Sequence, residues 1–215
     1  MSDSPSLDAF ADSKLAEMDR AHLRRRLVIT DPLGATEIER EGKRLLNFSS
    51  NDYLGLNRHT VLERAAMDAI EQFGVGSGAS RLVTGNHPLF RELETRLATL
   101  KGTEDAVVFG SGFLTNSGVI PALMGASDAI FLDELSHACI YYGSRLSDAA
   151  THVFRHNDLE HLKELLEAHR GACTHAMIVT DGVFSMDGDL APVGALVDLA
   201  QQFDAWLMTD DAHGI

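Results

Sequence analysis

The sequence predicts an α/β fold, a mostly parallel sheet with helices on both faces. Three observations lead there. From about residue 106 onward, short apolar, β-branched runs alternate with segments of helical spacing. Those runs are nearly continuous in apolar residues, the pattern of strands buried on both sides. The chain has 215 residues, of which 45% are apolar and 23% charged, which is ordinary for a globular protein and too apolar for a disordered one.

Taken in order, Leu7, Phe10, Leu15, Met18, Leu23 and Leu27 recur at roughly helical spacing. They predict a first helix that closes on Arg24-Arg25-Arg26, where cations suit the negative end of a helix dipole. Asp31-Pro32-Leu33-Gly34 reads as a turn. Extended pieces follow around Ile38 and over 45–48, and then the polar loop 47–56, NFSSNDYLGL. Thr60 and Glu63 have the spacing of a capping box, opening a helix to about Phe73. The stretch 74–81, GVGSGASR, is too glycine-rich for the interior of a helix or strand, and another helix runs from about Pro88 to Leu100. The regular part then begins. Strands are expected at 106–109, 129–132, 152–154, 176–180 and 205–209. Helices are expected from the 110–116 turn to Met124, from His137 to about Leu146, from the cap at His156-Asn157-Asp158 to about His169, and over about 194–203.

With 18 basic and 32 acidic side chains the formal charge is −14. Such a surface repels phosphate backbones, so nucleic acid is not an expected partner. No apolar run approaches the ~18 residues of a membrane span, and the acidic start has no secretory pattern. Two cysteines, Cys139 and Cys173, fit a reducing, cytoplasmic setting rather than a disulfide framework.

The chemically unusual residues fall just past the carboxyl ends of the expected strands: Gly112 and Phe113, His137, Ser185, Asp210 and His213. In an open parallel sheet those ends share one edge, and ligands bind in the crevice outside it. The Gly110-Ser111-Gly112-Phe113 opening of a helix offers backbone N–H groups and a positive dipole end to an anion such as a phosphate, although a glycine turn also serves tight strand–helix packing. His137 is a flat side chain able to stack. Asp210 ends a strand, where a half-buried carboxylate calls for a cationic partner or a helix to cap. Together they suit pyridoxal 5'-phosphate, whose phosphate, ring and protonated pyridine nitrogen need such partners. A carboxylate ~4 Å from that nitrogen contributes up to about 4 kcal/mol at an effective dielectric near 20, enough to keep it protonated at neutral pH. Two other readings use the same residues. Gly110-x-Gly112-x-x-Thr115 with Asp133 imitates a dinucleotide fingerprint, but the side chain of Thr115 stands where the third glycine belongs. His152 and His156 have the spacing of a metal-binding pair but lack the glutamate between them. No metal is expected.

The motifs NFSSNDYLGL (47–56), GVGSGASR (74–81), SGFLTN (111–116), LSHA (135–138), RHND (155–158), DGVFSMDGD (181–189) and DDAHG (210–214) closely resemble those of the α-oxoamine synthases. These are fold-type-I pyridoxal-phosphate acyltransferases that condense an amino acid with an acyl-CoA. The resemblance covers about residues 20–215. With Leu23-Arg24-Arg25-Arg26 it leans toward the branch that joins L-alanine to a pimeloyl thioester in biotin synthesis.

The resemblance implies that Gly112 and Phe113 hold the cofactor phosphate, that His137 stacks on the ring, that Asp210 pairs with the ring nitrogen, and that Ser185 and His213 bind the ring hydroxyl. His137, Asp210 and His213 are the implied catalytic residues. Arg24 and Asn51, with His137, are implied for substrate, and Arg81 is a candidate cation for CoA. Residues 1–45 would form an N-terminal helix and arm, and 46–215 an incomplete large cofactor-binding domain, in a cytoplasmic homodimer. Asp181 stands where many members carry glutamate, and there the sequence is similar to glycine C-acetyltransferases. The family's Schiff-base lysine is expected beyond Ile215, and Lys14, Lys43, Lys101 and Lys163 lie outside its context. The 215 residues alone are therefore expected to be inactive, either a fragment or a non-catalytic partner subunit.

Overall fold

A computed structural model describes residues 6–34 and 36–214. The chain divides into two compact units between Gly76 and Ser77.

In the first unit, helix α1 (Leu7–Arg20) starts at Ser6, whose hydroxyl accepts the Ala9 N–H at 3.2 Å. It stops before the basic triplet. His22 takes a left-handed conformation (φ 56°), and Arg24 pairs with Asp19 at 2.6 Å instead of closing a last turn. Strands β1 (Thr30–Pro32), β2 (Glu37–Arg40) and β3 (Lys43–Leu46) form an antiparallel sheet in that order. Asp31 and Pro32, expected in a turn, lie in β1, an edge strand that tolerates a missing N–H. Glu41 and Gly42, both at positive φ, make the two-residue hairpin between β2 and β3. Helix α2 (Thr60–Phe73) lacks the expected capping box. A 3-10 turn at Leu56–Arg58 leads straight into it, His59 takes the cap position, and its carbonyl accepts the Leu62 and Glu63 N–H groups.

The second unit holds helix α3 (Pro88–Lys101), α4 (Gly112–Leu123), strand β4 (Ala129–Asp133), α5 (Ala138–Leu146), β5 (Ala150–Phe154), α6 (Leu159–His169), β6 (Ala176–Asp181), α7 (Val193–Gln202) and β7 (Trp206–Asp210). The strands form one parallel sheet in the order β5-β4-β6-β7. Alternate residues feed two cores. Ile130, Leu132, Met177 and Val179 pack with Ile120 and Ile140 of α4 and α5. Phe131 and Ile178 pack with Leu162, Leu166 and Leu196 of α6 and α7. Each fully buried large side chain contributes roughly 1.5–3 kcal/mol. This is the expected parallel sheet with helices on both faces. At the crossing of α4 and α5, a Cβ on Gly143 would lie 2.4 Å from the Asn116 carbonyl oxygen, so only glycine allows the helices to approach.

The expected strand at 106–109 does not form. A strand exists through its ladder, and no described strand pairs with this segment. Its backbone is held by side chains: the Val108 N–H donates to Glu94, and the Val108 carbonyl accepts from Arg81.

Candidate functional site

The carboxyl edge of the second unit's sheet brings Gly112, Phe113, His137, Ser185, Asp210 and His213 around one concavity, together with Cys139, Asp181, Val183 and Ala212. Its cavity volume is about 120 Å³, below the roughly 300–1,000 Å³ of most small-molecule sites.

One wall is the start of α4. The Ser111 hydroxyl accepts the Leu114 N–H at 3.2 Å, and its carbonyl accepts Thr115. The Gly112 and Phe113 N–H groups are the remaining donors of that first turn, and they point outward with the positive end of the dipole. A Cβ on Gly112 would meet no protein atom within 4 Å. Glycine here is not demanded by packing. It leaves room for something outside the protein.

His137 caps α5. Its Nδ1 accepts the Cys139 N–H at 3.3 Å and lies 2.7 Å from the Cys139 thiol. Burial pushes that thiol's pKa up, against the opposing effect of the Asn116 amide, so the sulfur keeps its proton to donate. Nδ1 is therefore an acceptor, and Nε2 carries the ring N–H.

Asp210 ends β7 and pairs in register with Asp181 at the end of β6. Asp210 accepts the Asn116 side-chain N–H at 2.7 Å and the Ala212 N–H at 3.0 Å. Both Asp181 oxygens accept the His137 backbone N–H at 3.2 Å. Burial pushes the Asp181 carboxyl above its ordinary pKa; the His137 N–H opposes this, and the Asp210 charge adds to it. Two carboxylates side by side favour a cation or an N–H donor between them. Gly182 follows at once, where a Cβ would fall 2.1 Å from Asp211 Oδ1.

Ser185 is exposed in the turn between β6 and α7, and His213 lies in the turn after β7. Unspent amides, a fixed imidazole, an anionic acceptor and hydroxyl-directed donors are the donor set that a phosphorylated pyridine requires, and the residues present fit that group.

Arg24 and Asn51 lie in the first unit. Arg24 is tied to Asp19, and Asn51 accepts the Tyr53 hydroxyl at 3.4 Å. Arg81 is not a free cation. Its guanidinium makes a bidentate pair with Glu94 at 2.7 and 3.1 Å, reaches Asn86, and lies 4.4 Å above the Phe90 ring. The dinucleotide reading loses its acid, because Asp133 is wholly buried and accepts the Leu135 and Asn157 N–H groups. His152 and His156 part company: His152 stacks on His169 at 3.8 Å, while His156 lies between Asp133 and Asp189.

Sequence reasoning missed Asn116, Cys139 and Asp181. The signals were local for two of them. Asn116 follows Gly112 by one helical turn, and Cys139 stands two residues past a capping histidine.

The profile of the family described as Aminotransferase class I and II matches residues 43–215. The chain is 65% identical over 210 residues to a protein of Acidiphilium cryptum provisionally named 8-amino-7-oxononanoate synthase, covering 98% of this chain and 55% of that one. It is 57% identical over 211 residues to the 8-amino-7-oxononanoate synthase of Methylobacterium nodulans, covering 98% and 56%. A serine palmitoyltransferase variant from S. paucimobilis, solved with a bound PLP–myriocin aldimine, superposes with a TM-score of 0.89 at 29% identity, covering 99% of this chain and 54% of that one. The chain thus spans about half the length of the relatives it matches.

Proposed function

The chain belongs to the class I and II aminotransferase family, and on that premise we propose that it is the cofactor-binding part of a pyridoxal-phosphate-dependent acyltransferase. The reaction is the decarboxylative condensation of L-alanine with a pimeloyl thioester, giving 8-amino-7-oxononanoate, CoA and CO2 in biotin synthesis. One observation carries this reading: the amides of Gly112 and Phe113, the His137 ring and the Asp210 carboxylate line a single concavity.

When bound, pyridoxal phosphate supplies an electron sink for the amino acid's α-carbon. The chain's own residues then have these tasks. The Gly112 and Phe113 N–H groups take the phosphate, aided by the dipole of α4. The Asp210 carboxylate, aimed by Asn116, keeps a proton on the ring nitrogen. His137, its Nδ1 fixed by Cys139, offers a flat face for stacking and an Nε2–H toward substrate. Ser185 and His213 orient the ring hydroxyl. Arg24 and Asn51 contribute to substrate recognition, and the active species is a cytoplasmic homodimer.

The preference for the pimeloyl branch rests on the 65% and 57% identity to relatives bearing that name, against 29% to the serine palmitoyltransferase. Asp181 supports glycine C-acetyltransferase chemistry and the superposed neighbour supports serine palmitoyltransferase chemistry, and together they form the second reading.

The test uses the full-length protein with pyridoxal phosphate, L-alanine and pimeloyl-CoA. A visible cofactor absorbance band and alanine-dependent CoA release are expected. No band refutes the cofactor site. A band with release only from glycine or serine, or only from other acyl-CoAs, transfers the chain to the second reading. A band without any release marks a non-catalytic partner subunit.

A further inference from the structure

Outside the concavity, one imidazole is gripped at both nitrogens. Nδ1 of His156 lies 3.0 Å from Asp133 Oδ1, and Nε2 lies 2.7 Å from Asp189 Oδ2. A carboxylate oxygen can only accept, so both contacts are hydrogen bonds when the ring carries both protons. Asp133 ends β4, is wholly buried, and also receives the Leu135 and Asn157 backbone N–H groups at 2.9 Å. Asp189 is the far end of the turn between β6 and α7. Its Oδ2 also takes the Asn157 side-chain N–H at 3.0 Å, and its Oδ1 is buried with no partner among the described residues. Phe184, from the same turn, sets its ring edge-on to His156 at 4.4 Å.

The turn is a small closed loop. The Phe184 N–H donates to the Asp189 carbonyl, Gly188 to Phe184, and Ala191 to Gly182, while Val183 bridges Leu190. Ser185 sits inside it. The turn is anchored by the Phe184 ring, buried in the core with Ala191, and by the Gly182 N–H on the Asp210 carbonyl and the Asn157 side chain on the Leu190 carbonyl. It is also anchored by the acid at its end, which is held by His156 and Asn157.

We propose that His156 is a positioning residue: as an imidazolium it clasps Asp189 to Asp133, and so holds the 183–190 turn and Ser185 at the carboxyl edge of the sheet. Other charged groups nearby do not compete for the ring. Glu134 accepts the His156 backbone N–H at 2.8 Å, and Arg155 and Asp158 pair with each other at 2.7 Å. Burial alone would push the His156 pKa down, but the hydrogen bonds and charges of Asp133 and Asp189 outweigh it and hold the ring above its ordinary value. When the proton is lost, buried Asp133 keeps the one that remains, and a lone pair on Nε2 faces the Asp189 oxygen. The direct bond from the ring to Asp189 is then lost, and only the Asn157 amide, 3.0 Å from Asp189 Oδ2 and 3.2 Å from Nε2, ties the two on that side, so the clasp loosens. Only the identity of what Ser185 touches depends on the functional reading; the clasp itself is a property of the protein.

The test follows amide hydrogen exchange at Phe184, Gly188 and Ala191 and the NMR titration of His156 in the full-length protein. In wild type the ring should titrate above the ordinary histidine value, and the three amides should exchange faster once pH passes that midpoint. His156→Gln, which can reach one carboxylate but not both, should speed their exchange roughly tenfold at neutral pH. Asp189→Asn, at a carboxylate whose side chain is 41% exposed, should do the same and lower the His156 midpoint. It decides the matter if the glutamine variant does not fold. Unchanged exchange in the variants that fold, or a wild-type midpoint at or below the ordinary value, overturns the proposal. Pyridoxal phosphate affinity is measured alongside: a wild type that binds none sinks the functional reading and leaves the exchange result standing.

Discussion

The Asn116 side-chain N–H donates to Asp210 Oδ2 at 2.7 Å, joining residues 94 positions apart and tying the start of α4 to the end of β7. The same nitrogen lies 3.1 Å from the Cys139 sulfur, which touches His137. One buried amide thereby sets both the acid and the imidazole of the concavity. Asn116→Ala leaves a part-buried carboxylate short of a donor and should cost about 1–3 kcal/mol, read from urea denaturation, with weaker pyridoxal phosphate binding in equilibrium titration. Asn116→Asp places a third carboxylate beside Asp181 and Asp210 and should be worse on both counts.

Gly112→Ala separates binding from folding. Its new methyl meets no protein atom, so thermal stability should stay within a degree or two of wild type. The methyl enters the space assigned to the phosphate, and affinity should fall by roughly tenfold, about 1.4 kcal/mol. Parallel thermal melts and absorbance titrations check both halves.

Two other glycines should behave differently from each other. At Gly143 the obstacle is the Asn116 backbone, which cannot move without separating α4 from α5; Gly143→Ala should cost about 2–3 kcal/mol or more. At Gly182 the obstacle is the tip of the Asp211 side chain, which can rotate away. Gly182→Ala should therefore be the milder change in denaturation midpoint.

Arg81 and Glu94 give an acid limb to stability. The Arg81 hydrogen bonds, with the Val108 N–H beside them, hold the Glu94 carboxyl near about 2, against an ordinary 4.5. A depressed carboxyl stabilises the fold above its unfolded pKa, and that contribution is lost as pH falls from about 4.5 toward 2. Denaturation midpoints measured across that window should fall in wild type and change less in Arg81→Ala. The same variant should lose stability even with no acyl-CoA present, because the arginine is a structural tie between the 77–86 loop, α3 and the 106–109 segment.

The sheet was legible because strands buried on both faces write themselves as apolar runs. Since every crossover begins at a carboxyl end, His137, Ser185, Asp210 and His213 had to share an edge; Gly112 follows no described strand and joins them through α4, whose Asn116 bonds Asp210. What failed depended on partners the local pattern does not name. Val107 and Val108 look like a strand, yet no described strand pairs with them. Thr60 has capping-box spacing, but the preceding 3-10 turn hands the cap to His59. Arg81 read as a ligand cation because Glu94, which satisfies it, stands 13 residues away on α3. His156 invited comparison with His152 at short range, whereas its ring partners lie 23 and 33 residues off.

Among the described strands β7 is flanked on one side only, and it is the strand that delivers Asp210. A rail fastened along a single border frays from its open flank. The acid's aim therefore rests on the Asn116 amide and on the ladder with β6. Any ligand that grips Asp210, or any further strand laid along the open flank, stiffens the same rail. Occupancy of the crevice and order along β7 should rise and fall together.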